Sequence, residues 1–165
     1  MIAAFTLGTF AVGGVVDGSA LPELVKLLED VNEEVRGAAV FAVGCYAMSG
    51  LVDASALPKL VKMLEDKNEN VRKNATGALG FYAERGLTDK SVPSKLKKML
   101  EDEGEEVRKS AMFALIKYAE KGLPNFLYVG LKWKSRYLML VLVLLGPTWA
   151  KHCSRPSFSL RSVKV

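Results

Sequence analysis

The side chains that most often carry out chemistry in proteins are scarce in this sequence of 165 residues. His152 is the only histidine, and the two cysteines, Cys45 and Cys153, lie far apart along the chain. Their spacing matches no metal-ligand motif and no disulfide framework. Because nothing basic lies within helical reach of Cys45 except groups expected to face water, we interpret it as a packing or surface residue rather than an activated thiol.

Two further patterns could serve catalysis or phosphate binding. Paired carboxylates such as Glu33-Glu34 and Glu105-Glu106 can act as acid and base in hydrolysis. Because these pairs recur at equivalent places, we interpret them as acids that stabilise helix N-termini through the helix dipole. Gly8 and Gly13-Gly14 do not form a phosphate-binding loop, since the Gly-x-Gly-x-x-Gly pattern and a following Lys-Ser or Lys-Thr are absent from the sequence. The sequence therefore predicts no enzyme activity, no cofactor and no metal site.

The formal net charge of +5 is distributed unevenly. Residues 123–165 contain 7 basic side chains and no acidic one, whereas basic and acidic side chains are interspersed in the preceding residues. A surface of mixed sign lacks the dense positive patch that binds a phosphate backbone. We therefore expect another protein, and no nucleic acid, as the partner.

An internal repeat organises the sequence up to Gly122. The segment Leu21–Asp30 returns 36 residues later as Leu57–Asp66, and less closely as Ser94–Asp102. The second half of the unit keeps this period with a Val-Arg pair, a Tyr-Ala pair and a glycine. These elements recur at Val35-Arg36, Val71-Arg72 and Val107-Arg108, at Tyr46-Ala47, Tyr82-Ala83 and Tyr118-Ala119, and at Gly50, Gly86 and Gly122. A fixed period of this length indicates a repeat architecture.

Each unit is predicted to form two helices joined by a short turn, which makes the helices antiparallel. The first helices are predicted to begin at serines whose hydroxyl groups cap the N-terminus, at about Ser19, Ser55 and Ser91. The second helices are predicted to begin near Asn32, Asn68 and Gly104, and to end at the recurring glycines.

The apolar residues of each second helix fall on one side at helical spacing. In the three units they are Val35, Ala39, Ala42, Val43 and Tyr46; Val71, Ala75, Ala78, Leu79 and Tyr82; and Val107, Ala111, Ala114, Leu115 and Tyr118. No single unit could bury this face alone, so the units must stack. The sequence predicts an all-α fold, a solenoid of antiparallel helix pairs with the tyrosines in its core.

These units resemble HEAT repeats, a family with a proline in the first helix, an aspartate at its end and an arginine early in the second helix. The matching residues are Pro22, Asp30 and Arg36; Pro58, Asp66 and Arg72; and Asp102 and Arg108. The third unit has Pro93 one place early, so we expect its first helix to start differently. The resemblance covers residues 1–122 and implies a right-handed α-α superhelix in which the Asp and Arg side chains form a hydrogen-bonded structural ladder.

The chain divides into a partial unit, three full units and a tail. The predicted boundaries are 1–17, 18–53, 54–89, 90–122 and 123–165. Met1 aligns with Gly37 inside a second helix, so we expect a piece of a longer array. The tail contains an apolar run, Tyr137–Ala150, that is shorter than the roughly 20 residues of a membrane span. Three interpretations of the tail are open: a helix that caps the last unit, a membrane-association element, or a non-native or disordered stretch.

The side of the second helices opposite their apolar face is the predicted binding site. Its residues differ between units, and in solenoids the second helices usually line the concave side. The predicted partner-binding residues are Phe41, Cys45, Met48, Lys73, Phe81, Glu84, Lys109, Phe113, Lys117 and Glu120. An apolar patch with a charged rim is typical of protein interfaces. The alternative is that some of these aromatic side chains pack against the adjacent helix.

The leading functional hypothesis is a protein-interaction scaffold that binds an extended segment or a helix of another protein. Two alternatives are open. One is a HEAT-like protein related to the bilin lyases, which assist attachment of tetrapyrrole to phycobiliproteins, and the other is an adaptor recruited to membranes through residues 123–165. Two distant cysteines favour a reducing compartment, so we expect a cytoplasmic location.

Overall fold

A computed structural model describes residues 2–121, and this part of the chain is all-helical. A 3₁₀ turn, Gly18–Ala20, precedes the second of its seven α-helices. The helices are α1 (Ile2–Val12), α2 (Leu21–Leu27), α3 (Glu33–Met48), α4 (Ala56–Met63), α5 (Glu69–Glu84), α6 (Val92–Met99) and α7 (Glu105–Glu120). The predicted all-α fold is confirmed. The three interpretations of the tail concern residues 123–165, which lie outside the described residues.

Short and long helices alternate along the chain. The short helices α2, α4 and α6 each pack against the long helix that follows, and the 16-residue helices α3, α5 and α7 pack against one another in chain order. Between residues 2 and 121, the structure contains no helix with the length and apolar character of a membrane span. The helix pairs thus form a solenoid in which each unit contacts its neighbours.

Helix α1 takes the place of a long helix before α3. It packs against α3, and its Ala4 and Ala11 are buried. On the same helix, Ile2, Phe5 and Phe10 are each more than half exposed. Helix α1 is therefore covered mainly on one side, whereas α5 is covered by both α3 and α7.

Three tyrosines at equivalent positions anchor the long helices in the core. Tyr46, Tyr82 and Tyr118 are at most 1% exposed, as the sequence predicts. The hydroxyl group of Tyr46 donates to the carbonyl oxygen of Asp17 at 3.1 Å, and the hydroxyl oxygen of Tyr82 accepts from the backbone N–H of Asp53 at 3.4 Å. The two rings fill the core, and each hydroxyl group forms a hydrogen bond with the backbone just before a short helix. The buried hydroxyl groups therefore have hydrogen-bond partners.

The short helices begin differently from the prediction. Ser55 and Ser91 occupy the N-cap positions of α4 and α6, but their side chains make no cap hydrogen bond. The acceptor is the side chain of an aspartate two residues before each serine. Asp17, Asp53 and Asp89 accept from the backbone N–H groups of Ser19, Ser55 and Ser91 at 2.9, 2.8 and 2.7 Å. The predicted serine caps are wrong, because a charged carboxylate in this Asx-turn position is the stronger acceptor.

The first helix of the third unit starts at the same place as its counterpart in the second unit. Helix α6 begins at Val92, which is equivalent to Ala56 at the start of α4. The expectation of a different start is therefore wrong. Pro93 is the second residue of α6, where its missing N–H costs nothing because the first amides of a helix have no intrahelical partner.

The ends of α3 and α5 agree with the prediction, and the predicted end at Gly122 lies outside the described residues. Asn32 and Asn68 cap α3 and α5, since the side-chain oxygen of each accepts from the backbone N–H two residues later at 2.8 and 2.9 Å. Gly50 and Gly86 follow the C-termini with φ of +100° and +85°, a conformation that glycine adopts without strain. Gly104 is the N-cap residue of α7, and a Cβ atom there would collide with the side chain of Glu69.

The cap assignment can be tested with a matched pair of variants. We expect Asp53→Ala to lower the free energy of unfolding by about 1 kcal/mol, because it removes the acceptor of the Ser55 N–H. Ser55→Ala should change it by less than about 0.5 kcal/mol. Urea unfolding followed by circular dichroism measures both, and a greater loss in Ser55→Ala than in Asp53→Ala would contradict the assignment.

Candidate protein-binding ridge

Arginine and aspartate side chains connect neighbouring units beside the candidate binding surface. Arg36 donates from Nε and Nη2 to the two carboxylate oxygens of Asp66 in the next unit, at 2.9 and 3.2 Å. Its Nη1 donates to the carbonyl oxygens of Asp30 and Val31 in its own unit, at 2.9 and 3.1 Å. One planar guanidinium group therefore fixes the turn within a unit and holds the next unit with paired hydrogen bonds.

The equivalent pair in the next unit is similarly buried. Arg72 donates to the carboxylate of Asp102 at 2.8 and 3.0 Å, and the two side chains are 10% and 8% exposed. Burial raises the pKa of Asp102, but hydrogen bonds from Arg72 and from the Gly104 N–H outweigh burial and hold the pKa below its ordinary value. Within the described residues, Arg108 donates only to the carbonyl oxygens of Asp102 and Glu103 and has no carboxylate partner. It thus completes its own turn without joining two units.

A second set of contacts between units, which the sequence analysis did not identify, lies at the C-terminal ends of the long helices. The hydroxyl group of Ser49 donates to the carbonyl oxygen of Ala11 at 2.8 Å. At the equivalent position, Arg85 donates to the carbonyl oxygens of Ala47 and Met48 at 3.1 and 2.6 Å. Carbonyl groups in the last turn of a helix lack intrahelical donors, so each contact caps the preceding long helix. Serine occupies this position in one unit and arginine in the next, so the sequence repeat does not indicate the contact.

The arginine–aspartate contact can be tested on two equivalent arginines. We expect Arg72→Ala to lower the free energy of unfolding by about 3 kcal/mol, because the carboxylate of Asp102 would stay buried without its partner. Arg108→Ala removes only bonds within its own turn and should cost about 1 kcal/mol. Urea unfolding of both variants gives the comparison. Equal losses would show that the bond between units adds nothing to stability.

The ten predicted partner-binding residues lie on three adjacent long helices at different depths. Met48, Glu84, Lys109 and Glu120 are exposed, and Phe41, Lys73, Phe81, Phe113 and Lys117 are half-buried. These nine residues of α3, α5 and α7 are called the ridge below. Cys45 is only 7% exposed, so its predicted place on the exposed surface is wrong. The cysteine side chain is shorter than those of Phe81 and Lys117 at the equivalent positions, and it does not reach the surface.

The aromatic side chains of the ridge pack partly against neighbouring helices. The rings of Phe5 and Phe41 stack with their centroids 5.2 Å apart and 22° between their planes. The rings of Phe81 and Phe113 are also 5.2 Å apart, with 59° between their planes. Each ridge phenylalanine is held by contacts within the stack and keeps part of its surface exposed. Rigid aromatic groups of this kind bind partners with little loss of side-chain entropy.

Acidic and basic side chains alternate along one part of the ridge. The amino group of Lys117 lies 3.3 Å from the carboxylate of Glu84 in the preceding unit and 3.4 Å from that of Glu120. It also lies 5.9 Å from the centre of the Phe113 ring, within the range of a cation–π contact. This arrangement places a charged rim directly beside an aromatic surface.

The two other lysines of the ridge differ in their surroundings. Lys109 lies 3.0 and 2.7 Å from the carboxylates of Glu105 and Glu106. Lys73 is at the equivalent position of the preceding unit and forms no ion pair within residues 2–121. Glu69 lies four residues before Lys73 on α5, at the spacing of Glu105 and Lys109 on α7.

Burial also sets the reactivity of Cys45. Loss of hydration raises the pKa of its thiol to about 11, so the reactive thiolate is rare at neutral pH. In a Cys153→Ser background, we expect Cys45 to react with a disulfide reagent on the order of a hundredfold more slowly in native buffer than in urea. Absorbance of the released thiol measures both rates. Equal rates would contradict the burial of this side chain.

Comparison with known proteins identifies the family of this solenoid. The family model for HEAT repeats matches residues 21–116, and the chain belongs to the HEAT repeat family. A comparison with curated proteins gives no match. Within the residues that the structure describes, no group of three or more His, Cys, Asp or Glu side chains could hold a metal ion.

Several similar solved structures are designed armadillo repeat proteins. One of them, in complex with the peptide (KR)4, is 27% identical to this chain, with a TM-score of 0.64 over 84% of this chain and 70% of the other. A second, computationally designed for modular peptide recognition, is 28% identical, with a TM-score of 0.61 over 86% and 71%. A third is 30% identical, with a TM-score of 0.63 over 86% and 71%. The fold is thus a solenoid of the HEAT and armadillo type.

Proposed function

We propose that this chain is a protein-binding module that receives an extended segment or a helix of another protein on the ridge. The observation that carries the proposal is the set of half-buried aromatic side chains on three adjacent long helices. Phe41, Phe81 and Phe113 are fixed by the stack and partly exposed, and charged groups border them. An aromatic centre with a polar rim is the composition of protein interfaces.

The similar structures support the same kind of partner. One designed armadillo repeat protein is in complex with a peptide, and another was designed for modular peptide recognition. For this chain we propose a binding role without catalysis, in the cytoplasm. No observation on residues 2–121 favours the alternative related to bilin lyases. Membrane recruitment concerns residues 123–165, which the structure does not describe.

Binding of displayed peptides tests the ridge. Peptides selected from a random displayed library against the wild-type chain should lose at least about tenfold in affinity for the double variant Phe81→Asp and Phe113→Asp, because both changes put charge into the apolar centre. Fluorescence anisotropy with the selected peptides measures the affinity. Circular dichroism shows whether the helices are retained.

Two further variants keep this test decisive. Met48→Asp changes an exposed ridge residue that is 39% accessible, so it should weaken binding without loss of the fold. Val31→Asp introduces the same charge at a side chain that is 99% exposed and lies in the turn between α2 and α3, away from the ridge. Selected peptides that bind all four proteins equally would exclude the ridge as the binding site.

A further inference from the structure

One side of α1 is exposed, although the equivalent residues of the other long helices are buried. This side, which we call the α1 face, consists of Ala3, Leu7 and Phe10, because residues three or four apart lie on one side of a helix. Phe10 is 55% exposed, whereas the tyrosines at its position in α3, α5 and α7 are at most 1% exposed. Ala3 is exposed and Leu7 is half-buried, but their counterparts are also at most 1% exposed. An apolar surface that three units bury is therefore open on α1.

The exposure does not result from a rotation of α1 about its axis. Gly8 of α1 lies against Ala42 of α3, and Gly80 of α5 lies against Ala114 of α7 in the same way. Near the end of α1, the carbonyl oxygen of Phe10 accepts from the backbone N–H five residues later, as those of the tyrosines of α3 and α5 do. Helix α1 thus has the register of the other long helices, and the difference lies in what covers the α1 face.

The other units show which kind of element covers this side of a long helix. In each of them the short helix of the same unit packs against the long helix. The apolar residues that α2 and its C-cap residue bury are Leu21, Leu24, Val25 and Leu28. Their spacing is that of one side of an amphipathic helix. Within residues 2–121, no short helix packs against α1 in this way. The α1 face therefore fits a short amphipathic helix with apolar residues at the same spacing.

Ion pairs between successive short helices indicate the charge that such a helix must carry. Lys59 of α4 lies 2.8 Å from the carboxylate of Glu29, which follows α2. In the next unit, Lys95 of α6 lies 3.0 Å from the carboxylate of Glu65, which follows α4. The residue of α2 at the position of these two lysines is Glu23. Because its charge is opposite, a helix on the α1 face needs a basic residue where α2 and α4 are followed by glutamate.

Glu23 is available for such a basic residue. Within the described residues its ion-pair partner is Lys26, three residues later on α2 at 2.6 Å, and the two side chains are 72% and 69% exposed. An exposed pair of this kind contributes little to stability, so a partner can replace it. The short helices of this chain do not provide the base, because each is followed by a Glu-Asp pair: Glu29-Asp30, Glu65-Asp66 and Glu101-Asp102. A second copy of the chain therefore does not supply the complementary helix through them.

A second carboxylate at this edge has no arginine partner within residues 2–121. Asp66 accepts from Arg36 of the preceding unit at 2.9 and 3.2 Å. In the same part of the chain, the equivalent carboxylate of Asp30 accepts only from the backbone N–H of Asn32. Both aspartates also bind the arginine of their own unit through the carbonyl oxygen, so this contact does not explain the difference. By equivalence with the next unit, Glu23 and Asp30 point away from α4, toward the place of a helix on the α1 face.

We infer that the α1 face binds a short amphipathic helix of another protein, with apolar residues at the spacing found in α2 and with Lys or Arg in its last turn. The apolar residues cover Ala3, Leu7 and Phe10, and the basic residues pair with Glu23 and Asp30. Basic residues also suit the C-terminal end of a helix, where the helix dipole favours positive charge. The α1 face contains no residue of the ridge, so this second site goes beyond the proposed function.

Selection from a displayed library of helix-forming peptides tests the apolar part of the site on full-length variants. Peptides that bind the wild-type chain and do not bind Phe10→Asp are retained. They should bind Ala3→Glu, which changes an exposed residue of the same face, at least about tenfold more weakly than the wild type. Val12→Asp is the matched control, because Val12 is 56% exposed and lies on the opposite side of α1. Affinity for it should stay within about threefold, and circular dichroism establishes that all variants are folded.

A charge exchange tests the acidic part of the site. The retained peptides should carry Lys or Arg near the C-terminal end, after apolar residues at the spacing of α2. Glu23→Lys gives α2 the lysine that α4 and α6 already have, and it should weaken these peptides about fivefold at low salt. Replacing their last basic residues by Glu should restore the affinity for Glu23→Lys and lower it for the wild type. Glu101→Lys makes the same change at an exposed residue of the third unit and should have no effect beyond about twofold.

Other outcomes separate this inference from the proposed function. The double variant Phe81→Asp and Phe113→Asp should bind the retained peptides as well as the wild type does, because the ridge takes no part. If no peptide distinguishes the wild type from Phe10→Asp, or if the retained peptides lack the basic end and show no charge exchange, the inference fails and the binding role of the ridge is unaffected. A dimer of the wild-type chain that is lost in Phe10→Asp would assign the α1 face to a second copy and overturn the inference.

Discussion

The central long helix, α5, buries apolar residues on two sides, and the stack depends on the long helix that covers each of them. In α5, Ala78 faces α3 and Gly80 faces α7, and both residues are buried. The side chain of Thr76 is also buried, where its hydroxyl group donates to the carbonyl oxygen of Arg72. Two sides of α5 are thus buried against neighbouring long helices. The side that remains is free to vary, and it carries the ridge.

Features that depend on local chemistry or on the repeat could be predicted from the sequence. The burial of the tyrosines could be predicted because the apolar face recurs with the same period. Asn32 indicates a helix start because its side chain can accept hydrogen bonds only from nearby backbone N–H groups. Gly50 and Gly86 mark helix ends because few other residues adopt positive φ. The family resemblance led to the same solenoid, since the Asp and Arg positions agreed with it.

Features that depend on distances between helices could not be predicted. The segments before the short helices contain both Asp and Ser, either of which can accept from an amide, and only the backbone geometry selects Asp53. Cys45 lies on the predicted outward side, but its depth depends on how far its neighbours extend. The contact of Arg85 with α3 joins residues that are 38 apart along the chain, and the equivalent residue is a serine. Such contacts depend on how the helices pack, and no sequence pattern predicts them.

Helix α1 contacts a single long helix, so its backbone is expected to be held less firmly than that of α5. Helix α5 is clamped by helices before and after it, so thermal displacements of its backbone must move two interfaces at once. Helix α1 moves against one interface and is joined to the next element through Gly14, whose φ is +83°. Within residues 2–121, we therefore expect backbone displacements at α5 to be smaller than those at α1. A ligand held there loses less free energy to ordering of the protein than one held beside α1.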